Sequence, residues 1–405
     1  MIFMKTYCKP KHVHITDPDF NRPAVHDAFG NGKLRRFDFR RYLVQVGGIS
    51  FETLNGERLA HRCNHIVDAI DKVCDDMTQR IRDHDLRLPP VRQFRRVDGI
   101  SRKVRDLCQE SPEQQVAEYI LVYALMPLFR AKLLPCQFGS IPGRGQVSGK
   151  RRIERIIRRR ILGRADAIQC DVYHAYPSAS TDCVMALLRR DIGKNRELLW
   201  LAQAVMDNYP GGALLIGGYF STWAFNYVMS YLLRYIFAQG RMRRGKWIRT
   251  IQGAACYADD FVLFGKKSAL LKACKRATRW SADKLGLHIK SCWHVVPLAS
   301  FEGEKAARES HQRTPGVDMM GYVVRRTYTT VRGRIFVRIR RQLLRAGREL
   351  NQLGFVPWWR AQTLTSYGGW IRYSDSRRFC ESCGYDRIRA AGRLSLSRHF
   401  KEAIE

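Results

Sequence analysis

Three observations predict an α+β fold. Residues 56–86 and 110–134 carry apolar side chains at helical spacing. Short apolar runs at 167–172 and on either side of Asp259 and Asp260 have the length of buried strands, each meeting a carboxylate. The strong turn pair Asp98-Gly99 separates two short basic segments, as in a β-hairpin. With 405 residues and 45% hydrophobic content, the chain can bury two or three packed subdomains.

Taken along the chain, the first ~55 residues are mixed and basic, and the stretch from Gly30 to Gly48 predicts a turn followed by a helix or strand. Residues 56–86 place Ile66, Ile70 and Val73 on one helical face, and Pro89-Pro90 ends that helix. The segment QFRRVDGISRKVRDLC reads as a hairpin studded with Arg and Lys. Ser111-Pro112 starts a helix whose run AEYILVYALMPLF is apolar enough to be core. A loop rich in glycine, Gly139 to Gly145, follows. Beyond it a helix is expected with Ile153, Ile156, Ile157 and Ile161 inside and Arg151, Arg152, Arg155, Arg158 and Arg159 around the rest. Such a charged face is often only solvated, but joined to a Gly/Arg loop containing Arg144 it suits a phosphate backbone.

The balance of 71 Lys+Arg against 37 Asp+Glu, a formal charge of +34, opposes compaction unless a polyanion neutralises it. A nucleic-acid partner is expected. An anionic membrane is the competing partner, but no basic amphipathic terminus, lipidation motif, signal peptide or spanning segment is legible, so a cytoplasmic protein is expected. The twelve cysteines are scattered, mostly within apolar runs, as expected of reduced, buried thiols. Cys380 and Cys383 have zinc-ligand spacing, without a second pair or histidine cluster at matching distance.

Asp171 ends a strand-like run and precedes the helix DCVMALLRRDI. By itself it could be a cap or turn former. Asp259 and Asp260, between ACYA and FVLFG, form the charged tip of an apolar hairpin. Two buried neighbouring carboxylates are costly unless paired. A divalent cation offsets that repulsion, and Mg²⁺ is typically held by one or two carboxylates together with substrate phosphates.

These motifs, in this order over residues 94–325, resemble the reverse transcriptase family. Tyr257-Ala258-Asp259-Asp260 has its Tyr-x-Asp-Asp form, and Asp171 matches its first catalytic aspartate. Tyr176, five positions on, matches the aromatic that excludes a ribose 2′-hydroxyl; its bland alternative is a packed core aromatic. Gly217, Gly218 and Ser221 match the glycine loop and following helix under the substrate base pair, with Ser221 as cap or template contact. Ile216 and Thr222 depart from the Gln and Pro of retroviral, intron and retron enzymes; Ile216 is the form of diversity-generating retroelement enzymes and related bacterial lineages. Leu285, Leu287 and Lys290 match a Leu-x-Leu-x-x-Lys stretch, Lys290 protonating pyrophosphate. Gly321 and Tyr322 match the primer-grip hairpin.

The resemblance implies a right-hand polymerase: an N-terminal extension at 1–90, fingers at 91–165, an antiparallel-sheet palm at 166–325 and a basic helical thumb at 326–405. Two Mg²⁺ ions, or Mn²⁺ in their place, would be held by Asp171, Val172, Asp259 and Asp260. Arg102, Lys103 and Arg105 would face the triphosphate of a dNTP. Arg144, Lys150, Arg151, Arg155, Ser221, Tyr322 and Arg338 would face RNA template and nascent DNA. The thumb aromatics Trp358, Trp359, Tyr367, Trp370 and Tyr373 are expected to be mostly core. The implied setting is a retroelement or an anti-phage defence system copying a dedicated non-coding RNA. The alternative is an RNA-binding structural partner whose polymerisation is secondary, template-independent or lost.

Overall fold

The computed structural model describes residues 7–30, 32–56, 64–97, 104–159 and 166–402. In chain order the helices and strands are α1 Pro18–Phe29, α2 Phe37–Gly47, α3 Phe51–Gly56, α4 Asn64–Arg82, β1 Arg92–Val97, β2 Val104–Gln109, α5 Pro112–Lys132, α6 Gln146–Ile157, β3 Asp166–Asp171, α7 Ala175–Ser178, α8 Thr181–Ile192, α9 Arg196–Asp207 and α10 Tyr219–Ala238. They continue with β4 Gly240–Arg243, β5 Lys246–Arg249, β6 Gly253–Tyr257, β7 Asp260–Gly265, α11 Lys267–Leu285, β8 His294–Pro297, α12 Phe301–Glu309, β9 Val317–Met319, β10 Tyr322–Val324, β11 Thr329–Val331, α13 Gly333–Leu353, α14 Trp358–Arg372, α15 Arg377–Ser382 and α16 Tyr385–Glu402. The fold is α+β, as expected, with small antiparallel sheets. No helix among the described residues is long and apolar enough to cross a membrane.

The chain divides into two compact units that interleave in sequence. One comprises Met1–Pro135, Val172–Ala238 and Lys275–Lys290; the other comprises Cys136–Asp171, Gln239–Cys274 and Ser291–Glu405. In the first unit α5 is the central helix. The Ser111 hydroxyl accepts from the Gln114 amide at its start, as Ser-Pro predicts. Its interior is apolar nearly all round, and it packs against α1, α9 and α10. Ile66, Ile70 and Val73 are buried on α4, as their spacing requires. Strands β1 and β2 form the expected hairpin, while its Asp98-Gly99 turn, with Arg102 and Lys103, lies outside the described residues.

The second unit is built on an antiparallel sheet of order β6-β7-β3-β8. Strands β6 and β7 are buried along almost their whole length, which is why their sequences are continuous apolar runs rather than alternating ones. One face of the sheet carries Ala167, Ala255, Val262, Phe264 and Val296. These pack with Ile153, Ile156 and Ile157 of α6 and with Val317, Met319, Tyr322 and Val324 of a second sheet, β11-β10-β9. Ile161 lies outside the described residues. Residues of opposite parity face α11, where the Sγ atoms of Cys170 and Cys274 are 3.8 Å apart.

The C-terminal helices α13, α14 and α16 share a core of Ile339, Leu343, Ala346, Leu364 and Ile388. Gly321, in the β9–β10 turn, has φ +80°, and a Cβ there would collide with the Trp370 indole. Gly321→Ala is therefore expected to lower stability by about 2 kcal/mol, through overpacking and a strained backbone together. An unchanged chemical-denaturation midpoint contradicts this.

Candidate active site

Pairing across an antiparallel sheet puts directly opposed residues on the same face. In β3 and β7, Asp171 is the Cα partner of Asp260, and in β6 and β7, Tyr257 is the partner of Asp260. One transverse row of the sheet therefore reads Tyr257, Asp260, Asp171, at the end of the face on which Ala167, Ala255, Val262, Phe264 and Val296 are packed core. Asp259 sits one residue away in the turn. Segments nearly ninety positions apart in sequence are brought together by ladder hydrogen bonds, so the carboxylates rest on rigid strands. Asp171 and Asp259 are half-buried and Asp260 is exposed.

The turn itself is tight. Ala258, its first central residue, has φ +53°, in the left-handed region that costs a non-glycine residue about 1–2 kcal/mol. A neighbouring segment holds it. Residues 136–138 run alongside β6: the Cys256 amide donates to the Cys136 carbonyl at 2.7 Å and the Phe138 amide to the Cys256 carbonyl at 2.9 Å. Gly139 comes next, against the backbone of Ala258, where a Cβ would collide with the Ala258 nitrogen. In the sequence Gly139 only opens the glycine-rich loop 139–145. Its close approach to the carboxylate turn depends on a parallel pairing that no local pattern announces.

Among the described residues, no group of three or more His, Cys, Asp and Glu side chains forms a ready metal cage. The donor set nonetheless fits Mg²⁺. Like charges directly opposed across strands are destabilising, and Mg²⁺ keeps several waters, requiring one or two carboxylates with substrate phosphates rather than an all-protein cage. Cys380 and Cys383 flank the end of α15, and no third ligand joins them among the described residues.

In the other unit, Tyr176 is half-buried and stacks on Phe225, with centroids 5.0 Å apart and planes at 26°. The tyrosine is thus held flat by α10 and is only partly covered. Val172 is buried and bridges to Ile289, next to the half-buried Lys290. Gly217 is exposed with φ +108°, a conformation that needs glycine. The Cys108 amide donates to the Ile216 carbonyl at 3.2 Å, tying the basic hairpin to this loop. A cavity of about 480 Å³ lies between them, lined by Phe94, Arg95, Leu107, Pro177, Leu215 and Ile216 among others. Arg105 is exposed on β2 opposite Arg96.

Two expectations for this loop are corrected. Gly218 is buried, and its missing side chain makes room for the Glu110 carboxylate and the Ser221 hydroxyl rather than for a nucleotide. Ser221 is fully buried and accepts from the Leu215 amide at 2.9 Å, so it fixes the loop from inside and does not face template. Behind both lies a carboxylate node the sequence did not disclose. Glu118 accepts from the Tyr209 hydroxyl at 2.6 Å and the Phe220 amide at 2.8 Å.

Burial first, and then the neighbouring Glu118, pushes Glu110 well above the usual carboxylate range. The folded carboxyl keeps its proton to higher pH than the unfolded one. Its contribution to stability is therefore complete below the ordinary glutamate range and is lost as pH rises through the raised value. Glu110→Gln, neutral throughout, is expected to melt above the parent at pH 8 and with it near pH 4. The same melting difference at both pH values contradicts this.

The basic face is also revised in part. Arg151 and Arg155 are exposed on α6, as expected, and Arg144 is half-buried, donating to the Gln137 carbonyl at 3.3 Å. Lys150 instead points inward, bonding Glu154 at 3.0 Å and the Tyr373 carbonyl at 2.8 Å, because position 150 falls on the buried stripe of α6. Tyr322 is buried against Trp370 in the core rather than presented outward. Arg338 is half-buried on α13. Trp358 and Trp359 are exposed rather than core, with Trp358 stacked on His399 and Trp359 beneath Arg360.

No known protein-family model matches the chain, and a search of the curated proteins gives no match either.

Proposed function

We propose that the protein is an RNA-directed DNA polymerase, a right-hand enzyme whose palm is the β6-β7-β3-β8 sheet. The observation that carries this is the register pairing Asp171 with Asp260 at the end of one sheet face, beside Asp259 in the turn. A polymerase needs carboxylates on rigid strands where a primer end meets a nucleotide, and the resemblance over residues 94–325 supplies the reaction class. Asp171, Asp259 and the Val172 backbone, with Asp260 in support, would hold two Mg²⁺ ions, which would supply Lewis-acid activation of the primer 3′-hydroxyl and charge neutralisation at the departing pyrophosphate.

The chain's own groups do the rest. Tyr176, stiffened by Phe225, excludes a 2′-hydroxyl and so selects deoxynucleotides. Arg105, with Arg102 and Lys103, attracts the triphosphate with cations that do not titrate near neutrality. Lys290 donates a proton to pyrophosphate. Arg144, Arg151 and Arg155 neutralise template phosphates. The template is a dedicated non-coding RNA, in a retroelement or an anti-phage defence system.

Extension of a primed RNA template by purified protein with Mg²⁺ and labelled dNTPs tests the activity. RNA binding with no extension under any primer arrangement would identify an RNA-binding partner protein instead.

A further inference from the structure

Strands β4 and β5 form a two-stranded ribbon, closed by Arg244 (φ +49°) and Gly245 (φ +74°), the two positive-φ positions of a type I′ turn. Its base is fixed where the Thr250 amide donates to the Gln239 carbonyl at 3.0 Å. Nearly every residue of the ribbon is exposed. It holds five cations, Arg241, Arg243, Arg244, Lys246 and Arg249, and no acidic residue occurs between Asp207 and Asp259.

The register sorts these side chains. Arg241 opposes Ile248 and Arg243 opposes Lys246, giving one face three cations; Met242 opposes Trp247 and Gly240 opposes Arg249, giving the other an aromatic and one cation. Met242 is 62% and Trp247 55% exposed. The indole lies over Gly240, where a Cβ would stand 2.5 Å from it. Glycine there lets the backbone carry a flat, partly open ring on an otherwise basic projection.

We propose that this ribbon is a binding site for single-stranded RNA, the strand crossing its edge so that an unpaired base stacks on Trp247 beside Arg249 and the following phosphates lie along Arg241, Arg243 and Lys246. Aromatic stacking beside a cationic track is how unpaired strands are held without sequence preference. The choice of RNA over DNA rests on the proposed copying of RNA. A lipid surface fits less well, since the exposed apolar residues Met242, Trp247 and Ile248 are split between the two faces and form no apolar face long enough to enter a bilayer.

The test is binding of a fluorescent single-stranded oligoribonucleotide to the full chain over a salt series, with melting curves as a folding control. Arg241→Ala/Arg243→Ala/Lys246→Ala is expected to weaken binding at least tenfold and to flatten the salt slope by about 2, at roughly 0.7 per lost phosphate contact. Trp247→Ala, and Gly240→Ala by displacing the indole, are each expected to weaken binding about tenfold with the slope unchanged. Trp247→Phe retains most of the affinity.

Unchanged RNA affinity in both the triple variant and Trp247→Ala overturns the proposal. So does a loss confined to a deoxyoligonucleotide, or to phosphatidylglycerol vesicles. Primer extension at saturating template is measured alongside. An inactive parent that still loses RNA affinity through these variants removes the polymerase proposal and leaves the ribbon's RNA site standing.

Discussion

Asp171→Ala is expected to reduce nucleotide incorporation by about 10³-fold or more, equivalent to roughly 4 kcal/mol of transition-state stabilisation, while RNA affinity stays within about twofold. Asp171 faces Asp260 directly across the β3–β7 pair, so its removal halves the opposed carboxylates available to a cation. The same geometry makes a second readout. Two like charges in register repel, so Asp171→Asn should melt at or above the parent temperature without metal. Mg²⁺ should raise the melting temperature of the parent and not of the variant, because a ligand stabilises only the state that binds it. Retained synthesis in Asp171→Ala, or equal Mg²⁺ stabilisation of parent and Asp171→Asn, would remove the polymerase assignment. Asp259→Ala is expected to behave like Asp171→Ala.

Gly139→Ala should be the largest effect from a residue with no charge or nucleophile. A single methyl there meets the Ala258 nitrogen, so either the carboxylate turn or the segment 136–139 must shift. Displacing a catalytic group by about 1 Å can cost on the order of 10²-fold in rate, and that loss is expected here with dNTP and RNA affinity little changed. The stability cost should be about 1–3 kcal/mol, the usual range for overpacking. The protein then stays folded, and rate and fold separate in one variant. Incorporation at the parental rate would show that the turn does not depend on its neighbour.

Much of the candidate site was legible because its clues are local. A carboxylate ending an apolar run, a charged pair inside a hairpin-length apolar stretch, and an aromatic five residues after the first aspartate can all be found without coordinates. The same holds for the helices of α4 and α5, where apolar spacing and a Ser-Pro start predict what is found. The misjudged residues are those whose environment is set by distant chain. Lys150 looks like its arginine neighbours in sequence, yet α6 turns it toward Glu154 and the Tyr373 carbonyl. Ser221 and Gly218 look like loop residues facing a ligand, yet Glu110 and Leu215 surround them.

By itself the sequence determined the α+β class, the basic charge, and which three aspartates stand as candidates for a metal site, because composition, periodicity and charge are properties of neighbouring residues. Only the tertiary structure decided that Asp171 and Asp260 are partners in one row, that Gly139 abuts Ala258, and that the ribbon at 240–249 puts Arg241, Arg243 and Lys246 on one face and Trp247 with Arg249 on the other. Those facts are set by strand register, where a shift of one residue would turn every side chain to the opposite face, and register follows from how separated segments bury their apolar faces together.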